Sequence, residues 1–283
     1  MGVIGSSMAA RLVNGGHGVR VWNRSPARLA QAPPGATIAS TPADCCRGAA
    51  VALLSVSDDA ASLDVALGRD GIIDGVERGA AVVDTSTTAS GTAVHLAAAF
   101  AEAGVAFVDA PVTGGAEAAR DGRLTLLCGG TEAAFEQVRP VLDHVGRRIL
   151  HMGPSGAGQL TKAVNQVMLA GSLLGVAEGV ALARAAGLDL PRVIDALREG
   201  AAASWVLSNR ATFMAARDFP PAGRLALHLK DLRIALQAAR DLDVTLPGAD
   251  LVSGLEQSLA DAGHGDIDVS ALVLAIEGAS AEG

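Results

Sequence analysis

The stretch AAVVDTSTTASGTAVHLAAAFAEAGVAFVDAPVTGG, residues 80 to 115, decides the fold. It holds two short, continuously apolar runs, AAVVD and VAFVDA, separated by a helical stretch. Strands that are apolar at every position are covered on both faces, and strands that alternate with helices run parallel. The same rhythm extends outward through VRVWN (19–23), AVALLSV (50–56) and RLTLLCGG (123–130), so the first half predicts a doubly wound parallel sheet. From Ser155 onward only helical periodicity remains, with a run from about Gly156 to Ala185 and then stretches near 189–199, 204–215, 229–240, 248–262 and 268–277. Pro154 and Ser155 form a helix start. The expected boundary therefore separates an α/β domain at 1–153 from an all-α domain at 154–283, with the long helix lining a cleft between them.

Composition narrows the chemistry. Half of the 283 residues are apolar and the net charge is −8, which fits a soluble globular protein and gives no basic footprint for nucleic acid. A small molecule is the expected partner. Three cysteines, two of them adjacent at 45 and 46, make no disulfide framework, and six scattered histidines make no metal site, so a reducing, cytoplasmic setting without a metal is expected. The uncharged run Ala163 to Ala177 falls short of the ~20 residues of a membrane-spanning helix, so a buried helix is expected there. The start MGVIGS fits a myristoylation pattern, but its glycines have a better use below, and no signal peptide is read.

There is no tyrosine, which excludes any mechanism with a tyrosine hydroxyl as general acid. The basic residues are twenty arginines and two lysines, Lys162 and Lys230. A guanidinium stays protonated, whereas an ammonium can exchange its proton, so the two lysines are the candidates for proton transfer.

At the chain start, Gly2-Val3-Ile4-Gly5 leads into a helical segment and then the strand VRVWN. This matches the second and third glycines of a G-x-G-x-x-G turn that binds a dinucleotide. Met1 stands at the middle position of G-x-G, and the first glycine and first strand are not present. The expectation is that the natural chain starts upstream, because that strand lies mid-sheet and its loss strands the backbone groups of its neighbours. Asn23-Arg24-Ser25 follows the next strand, where an NAD enzyme places an acid. An arginine and a hydroxyl there suit the 2′-phosphate of NADPH, the plain alternative being a solvated arginine at a strand end.

Lys162 and Asn165 share a helix face, and Gly158, one turn earlier, is expected to leave that face open for a ligand. Hydride delivery to a carbonyl builds negative charge on oxygen, which a partly desolvated ammonium stabilises and protonates. Thr113-Gly114-Gly115 offers closely spaced N–H groups able to receive a carboxylate, or forms a plain turn. Taken together, WNRS, DTSTTAS (84–90), DAPVTGGAEAARDGRLTLLCGG (109–130), GPSGAGQLTKAVNQ (153–166) and LHLKDL (227–232) resemble, in order and over essentially the whole chain, the β-hydroxyacid dehydrogenase family. That group includes 3-hydroxyisobutyrate dehydrogenases and the tartronate, glyoxylate and succinic semialdehyde reductases.

The resemblance implies a Rossmann-type N-terminal domain and a 6-phosphogluconate dehydrogenase-like helical C-terminal domain. It assigns the proton-donor role to Lys162, with Asn165 holding lysine and substrate. Ser86 and Thr87 fall beside the nicotinamide, unless they are simply helix-capping material. Lys230, read with Asp231 as opening a helix, closes over the cofactor, unless the two are a solvated pair. The implied cofactor is NADP(H), with NAD(H) possible, and the implied assembly is a homodimer or homotetramer. Where the family carries an aromatic residue, PPAGRLALHLKDL has Gly223, which implies a roomier pocket. The rival readings are an imine reductase-like enzyme and a non-catalytic dinucleotide-binding module.

Overall fold

The computed structural model describes residues 1–278 and divides into two compact units, Met1–Lys162 and Ala163–Gly283, the division falling inside one continuous helix. The first unit runs α1 (Val3–Asn14), β1 (Arg20–Val21), β2 (Thr37–Ile38), α2 (Pro42–Cys46), β3 (Val51–Leu54), α3 (Asp59–Leu67) and α4 (Ile72–Gly75). It continues through β4 (Ala81–Asp84), α5 (Ser90–Glu102), β5 (Ala106–Asp109), β6 (Val112–Thr113), α6 (Gly115–Arg120), β7 (Leu124–Gly129), α7 (Glu132–Leu142) and β8 (Gly146–Gly153). The second unit contains most of α8 (Ala157–Ala185), then α9 (Leu190–Leu197), α10 (Trp205–Asn209), α11 (Ala211–Ala216), α12 (Leu225–Asp241), α13 (Pro247–Leu259) and α14 (Leu272–Ile276).

The expected strands form at their expected places. Strands β3, β4 and β5 pair in parallel, and β7 pairs in parallel with β8. The two sets join through an antiparallel contact between Asp109 and Gly129, and β6 adds to β7 antiparallel, so the sheet is mixed on that side. Strand β8 was not foreseen, because exposed Arg147, Arg148 and His151 interrupt its apolar run. The segment VRVWN contributes only Arg20–Val21, which pairs with β2 as a separate two-stranded sheet.

Side chains leave alternate faces of each strand. Ala81, Val83 and Val108 enter one core with Met8 and Leu12 of α1 and Phe135, Val138 and Leu142 of α7. Ala52, Leu54, Val82 and Phe107 enter the opposite core with Leu96 and Phe100 of α5. That alternation is why the β4 and β5 runs are apolar at every residue, and it is the doubly wound α/β architecture. Both strands end on an aspartate, Asp84 beside Asp109 in register.

The helical unit closes on Ala170, Leu173, Ala177 and Val180 of α8, spaced at helical period, packed with Ile194, Met214, Leu232, Val252 and Leu272. At 29 residues α8 outruns the uncharged stretch read from the sequence, and by length and composition it is long enough to cross a membrane. Its buried stripe makes it a core helix of this unit. Lys230 does not open a helix: α12 begins at Leu225, whose side chain starts the apolar series Leu225, Leu229, Leu232. The loop before α12 is held by Asp268, fully buried, which accepts from the Gly223 N–H at 2.8 Å and from Ser270 N–H and Oγ at 3.0 and 2.7 Å. Arg210 pairs with it at 3.3 Å. Removing one partner of a buried charged pair strands the other, so Asp268→Ala is expected to cost about 3–5 kcal/mol in urea unfolding, whereas a loss below about 1 kcal/mol contradicts this assignment.

Candidate active site

The strand ends and the start of α8 are bound together by buried polar groups. The Asp109 carboxylate accepts from Gly156 N–H at 2.7 Å and from Gln159 N–H at 3.0 Å, serving the first turn of α8 just after the Pro154-Ser155 helix start. The side chain of Gln159, itself buried, accepts from Thr88 N–H at 3.0 Å and donates to the Ser86 carbonyl at 2.9 Å. Gly158 does not open a face to a ligand. A Cβ there would lie 2.2 Å from the Leu127 carbonyl and 2.7 Å from Asp109 Oδ2, so the glycine permits close packing of helix on sheet.

Next to it, Asp84 accepts from Ser86 N–H at 2.9 Å and from the Ser62 hydroxyl. Burial pushes both carboxyls above their ordinary range, and for Asp84 the hydrogen bonds oppose this while the neighbouring Asp109 charge adds to it. Ser86 Oγ accepts from Val56 N–H at 2.9 Å, tying the ends of β3 and β4 together. The capping alternative for the Ser/Thr run does not apply to Ser86. The start of α5 is instead served by Asp59, which accepts from Ala89 N–H at 2.8 Å and Thr92 Oγ1 at 2.6 Å.

Gly2 is the N-cap of α1, with no side-chain cap, and Val3, Ile4 and Gly5 form its first turn. A Cβ on Gly5 would meet Ser55 at 3.6 Å, so this turn lies against the end of β3. Asn23 bonds the Ser25 carbonyl at 3.0 Å beyond β1, and Arg24 is exposed. Thr113 ends β6, and Gly114 and Gly115 adopt φ of 125° and 73°, a left-handed backbone that L side chains rarely take, leading into α6.

Lys162 is 8% exposed in the second turn of α8, and Asn165 follows on the same face. Within the helical unit, Asn165 Nδ2 donates to Gln166 Oε1 at 2.8 Å, Gln166 Nε2 donates to Asp231 Oδ2 at 2.8 Å, and Lys230 Nζ lies 2.8 Å from Asp231 Oδ1. Lys230 and Asp231 are thus one end of a partly buried network, with Gln166 and Asp231 buried and Lys230 partly exposed, and not a solvated pair. The structure links Asn165 to Lys230 through Asp231, read from the sequence only as opening a helix with Lys230, and through Gln166, which the sequence did not single out.

Residues 1–153 match the model for the NAD binding domain of 6-phosphogluconate dehydrogenase, and residues 156–276 match that for the NAD-binding domain of NADP-dependent 3-hydroxyisobutyrate dehydrogenase. The chain belongs to the 3-hydroxyisobutyrate dehydrogenase family. This family member is 34% identical over 277 residues to a 2-hydroxy-3-oxopropionate reductase of Escherichia coli, covering 98% of this chain and 95% of the relative. It superposes on a 3-hydroxyisobutyrate dehydrogenase of Salmonella typhimurium with a TM-score of 0.86 at 29% identity, covering 96% of each chain. A solved structure of Psf3 with NADP+ and 2-OPP gives a TM-score of 0.88 at 26% identity, covering 97% of this chain and 97% of that one. The protein is an oxidoreductase with dinucleotide-binding domains.

The residues present fit such a cofactor. The first turn of α1 has backbone N–H groups that no side chain caps, at the end of the helix where anions are favoured.

Asp109, Gln159, Gln166 and Asp231 went unassigned to these bonds in the sequence reading. Asp109 had a signal: it closes an apolar run, as Asp84 does, and an acid at the end of a buried strand requires donors nearby. The raised Asp84 carboxyl has a measurable sign. The folded protein holds that proton more tightly than the unfolded chain, whose ordinary value is 3.8, so its contribution to stability falls as pH rises through and above that value. The stability of wild type relative to Asp84→Asn, from urea titrations at a series of pH values, should therefore decline from acid toward neutral pH. A difference that rises with pH contradicts it.

Proposed function

We propose that the protein interconverts a small aldehyde-acid and its hydroxy-acid, with NADPH as the partner. The substrate class is that of tartronate semialdehyde, glyoxylate, succinic semialdehyde or 3-hydroxyisobutyrate. The observation that carries this reading is the buried Lys162, on the part of α8 whose first turn is hydrogen-bonded to the ends of β4 and β5. In an α/β sheet of this kind, ligands bind outside the carboxyl ends of the strands.

Gly2 to Gly5 would receive the pyrophosphate on the first turn of α1, and Arg24 with Ser25 would take the 2′-phosphate. Asn23, Ser86, Thr87 and Lys230 complete the proposed cofactor contacts. The bound nicotinamide would supply the hydride. The Lys162 ammonium stabilises the charge that grows on the substrate oxygen and gives that oxygen its proton, while Asn165 holds the lysine and the substrate. Thr113, Gly114 and Gly115 receive the substrate carboxylate through backbone N–H groups. The relative from Escherichia coli, a 2-hydroxy-3-oxopropionate reductase, supports the aldehyde-acid class, and the NADP+ complex of Psf3 supports the cofactor.

Removal of a proton donor costs roughly 10²–10⁴-fold in rate. NADPH oxidation with a panel of aldehyde-acids should thus fall by about that factor in Lys162→Met, and turnover that survives the change rejects the mechanism. Imines included in the panel test the neighbouring chemistry. In the same assay Arg24→Ala should raise the KM for NADPH while leaving that for NADH nearly unchanged.

We further propose that the protein is a homodimer or tetramer. On α8, Met168 and Leu182 are exposed at 69% and 73%, and Gly171, Gly175 and Gly179 lie between them with open space at each Cβ. The stripe is symmetric about Gly175, so a second α8 laid antiparallel would set Met168 against Leu182 in both directions. The double change Met168→Glu and Leu182→Glu should yield monomers in sedimentation velocity, and an unchanged sedimentation coefficient would exclude this face.

A further inference from the structure

A directed hydrogen-bond chain starts at Asp231 and ends at Asn165. A carboxylate accepts and never donates, so the atom of Gln166 facing Asp231 Oδ2 at 2.8 Å must be its Nε2 amide. The remaining Gln166 atom, Oε1, is then an acceptor, and the Asn165 atom 2.8 Å from it must be Nδ2. Both side-chain orientations are fixed by chemistry. Gln166 and Asp231 are buried, so water competes poorly for either bond. The Lys230 ammonium, 2.8 Å from Asp231 Oδ1, anchors the far end of the chain. With Nδ2 engaged, Asn165 has its carbonyl oxygen left for a further partner, and the ammonium of Lys162 lies one turn earlier on the same helix face.

We propose that Gln166 and Asp231 are positioning residues that lock the Asn165 amide so that its carbonyl oxygen, not its N–H, serves the Lys162 ammonium. This rests on the proposed role of Lys162 and adds to it the polarity of its neighbour. An unlocked asparagine presents either end, and the amide end repels an ammonium. The relay therefore acts on kcat more than on cofactor affinity.

The experiment is a steady-state comparison of wild type, Gln166→Met, the exchanged pair Gln166→Glu with Asp231→Asn, and Lys162→Met, each checked by thermal unfolding. Gln166→Met keeps side-chain length and removes both bonds, and it should lower kcat by about tenfold with the NADPH Kd changed less than about threefold. In the exchanged pair the new amide at position 231 donates to the new carboxylate at position 166, and that carboxylate, acceptor-only, still receives Asn165 Nδ2. That pair should recover kcat to within about threefold of wild type. If Gln166→Met folds and keeps wild-type kcat, or if the exchanged pair is as impaired as Gln166→Met, the relay is wrong although Lys162 stands. Should Gln166→Met not fold, Asn165→Ala and Asp231→Asn singly and together take its place, and independent, additive losses in kcat overturn the relay. Turnover that survives Lys162→Met instead overturns the proposed function, which separates the two failures.

Discussion

A single buried carboxylate holds the functional end of the sheet in place. Helix α8 begins with backbone N–H groups that no preceding turn can satisfy, and Asp109, at the end of β5, takes those of Gly156 and Gln159. An aspartate buried without donors would be costly, and a helix start buried without acceptors would be too; placed together, each offsets part of the penalty of the other, although burial still holds the Asp109 carboxyl above its ordinary range. The contact is close enough that Gly129 and Gly158 carry no side chain. A Cβ on either would lie within 2.8 Å of the carboxylate oxygens. Once this junction forms, Gln159 is in position to fasten the loop after β4, and the turn of α8 bearing Lys162 has a fixed origin.

The polar groups are divided by task. Around Asp84 and Asp109 the bonds run to backbone N–H or to a serine, which ties these side chains to the main chain. Burial, with the Asp109 charge adding to it, pushes the Cys128 thiol up to about 12, far from thiolate at neutral pH, and burial does the same to Cys46 on α2. In the helical unit the bonds run side chain to side chain from Lys230 through Asp231 and Gln166 to Asn165. Such a chain carries direction as well as stability, since one acceptor-only member orients all the amides after it.

Much of the fold was readable because burial on two faces leaves a mark: β3, β4, β5 and β7 are apolar at nearly every residue, and the helices are periodic. β8 was hidden because it is an exposed strand with arginines in it, and the antiparallel junction at Asp109 was hidden because a single residue pair makes it. At the candidate site the motif residues were readable as types, while their supports were not. Gln159 and Gln166 look like ordinary helix residues, and only the position of Asp109, Ser86 and Asp231 around them reveals what their amides do. Gly158 was misread for the same reason, since a glycine on a helix signals space, and the sequence does not say whether a ligand or a strand end fills it.

The division between units falls after Lys162, so the lysine belongs with the sheet while Asn165 belongs with the helical unit. The two remain on one unbroken helix of 29 residues. Three residues of helix fix a rise of about 4.5 Å and a shared face, whatever the neighbouring elements do. The proposed proton donor and its proposed orienting amide, if drawn from two separate loops, would lose register with small displacements of either. Carried on α8, their spacing is set by backbone hydrogen bonds, and what remains adjustable is only which end of the Asn165 amide faces the lysine. On the relay proposed above, that is the one degree of freedom the Gln166–Asp231 pair removes, which accounts for a polar chain of this length, with both of its central members buried, inside an otherwise alanine-rich and apolar unit.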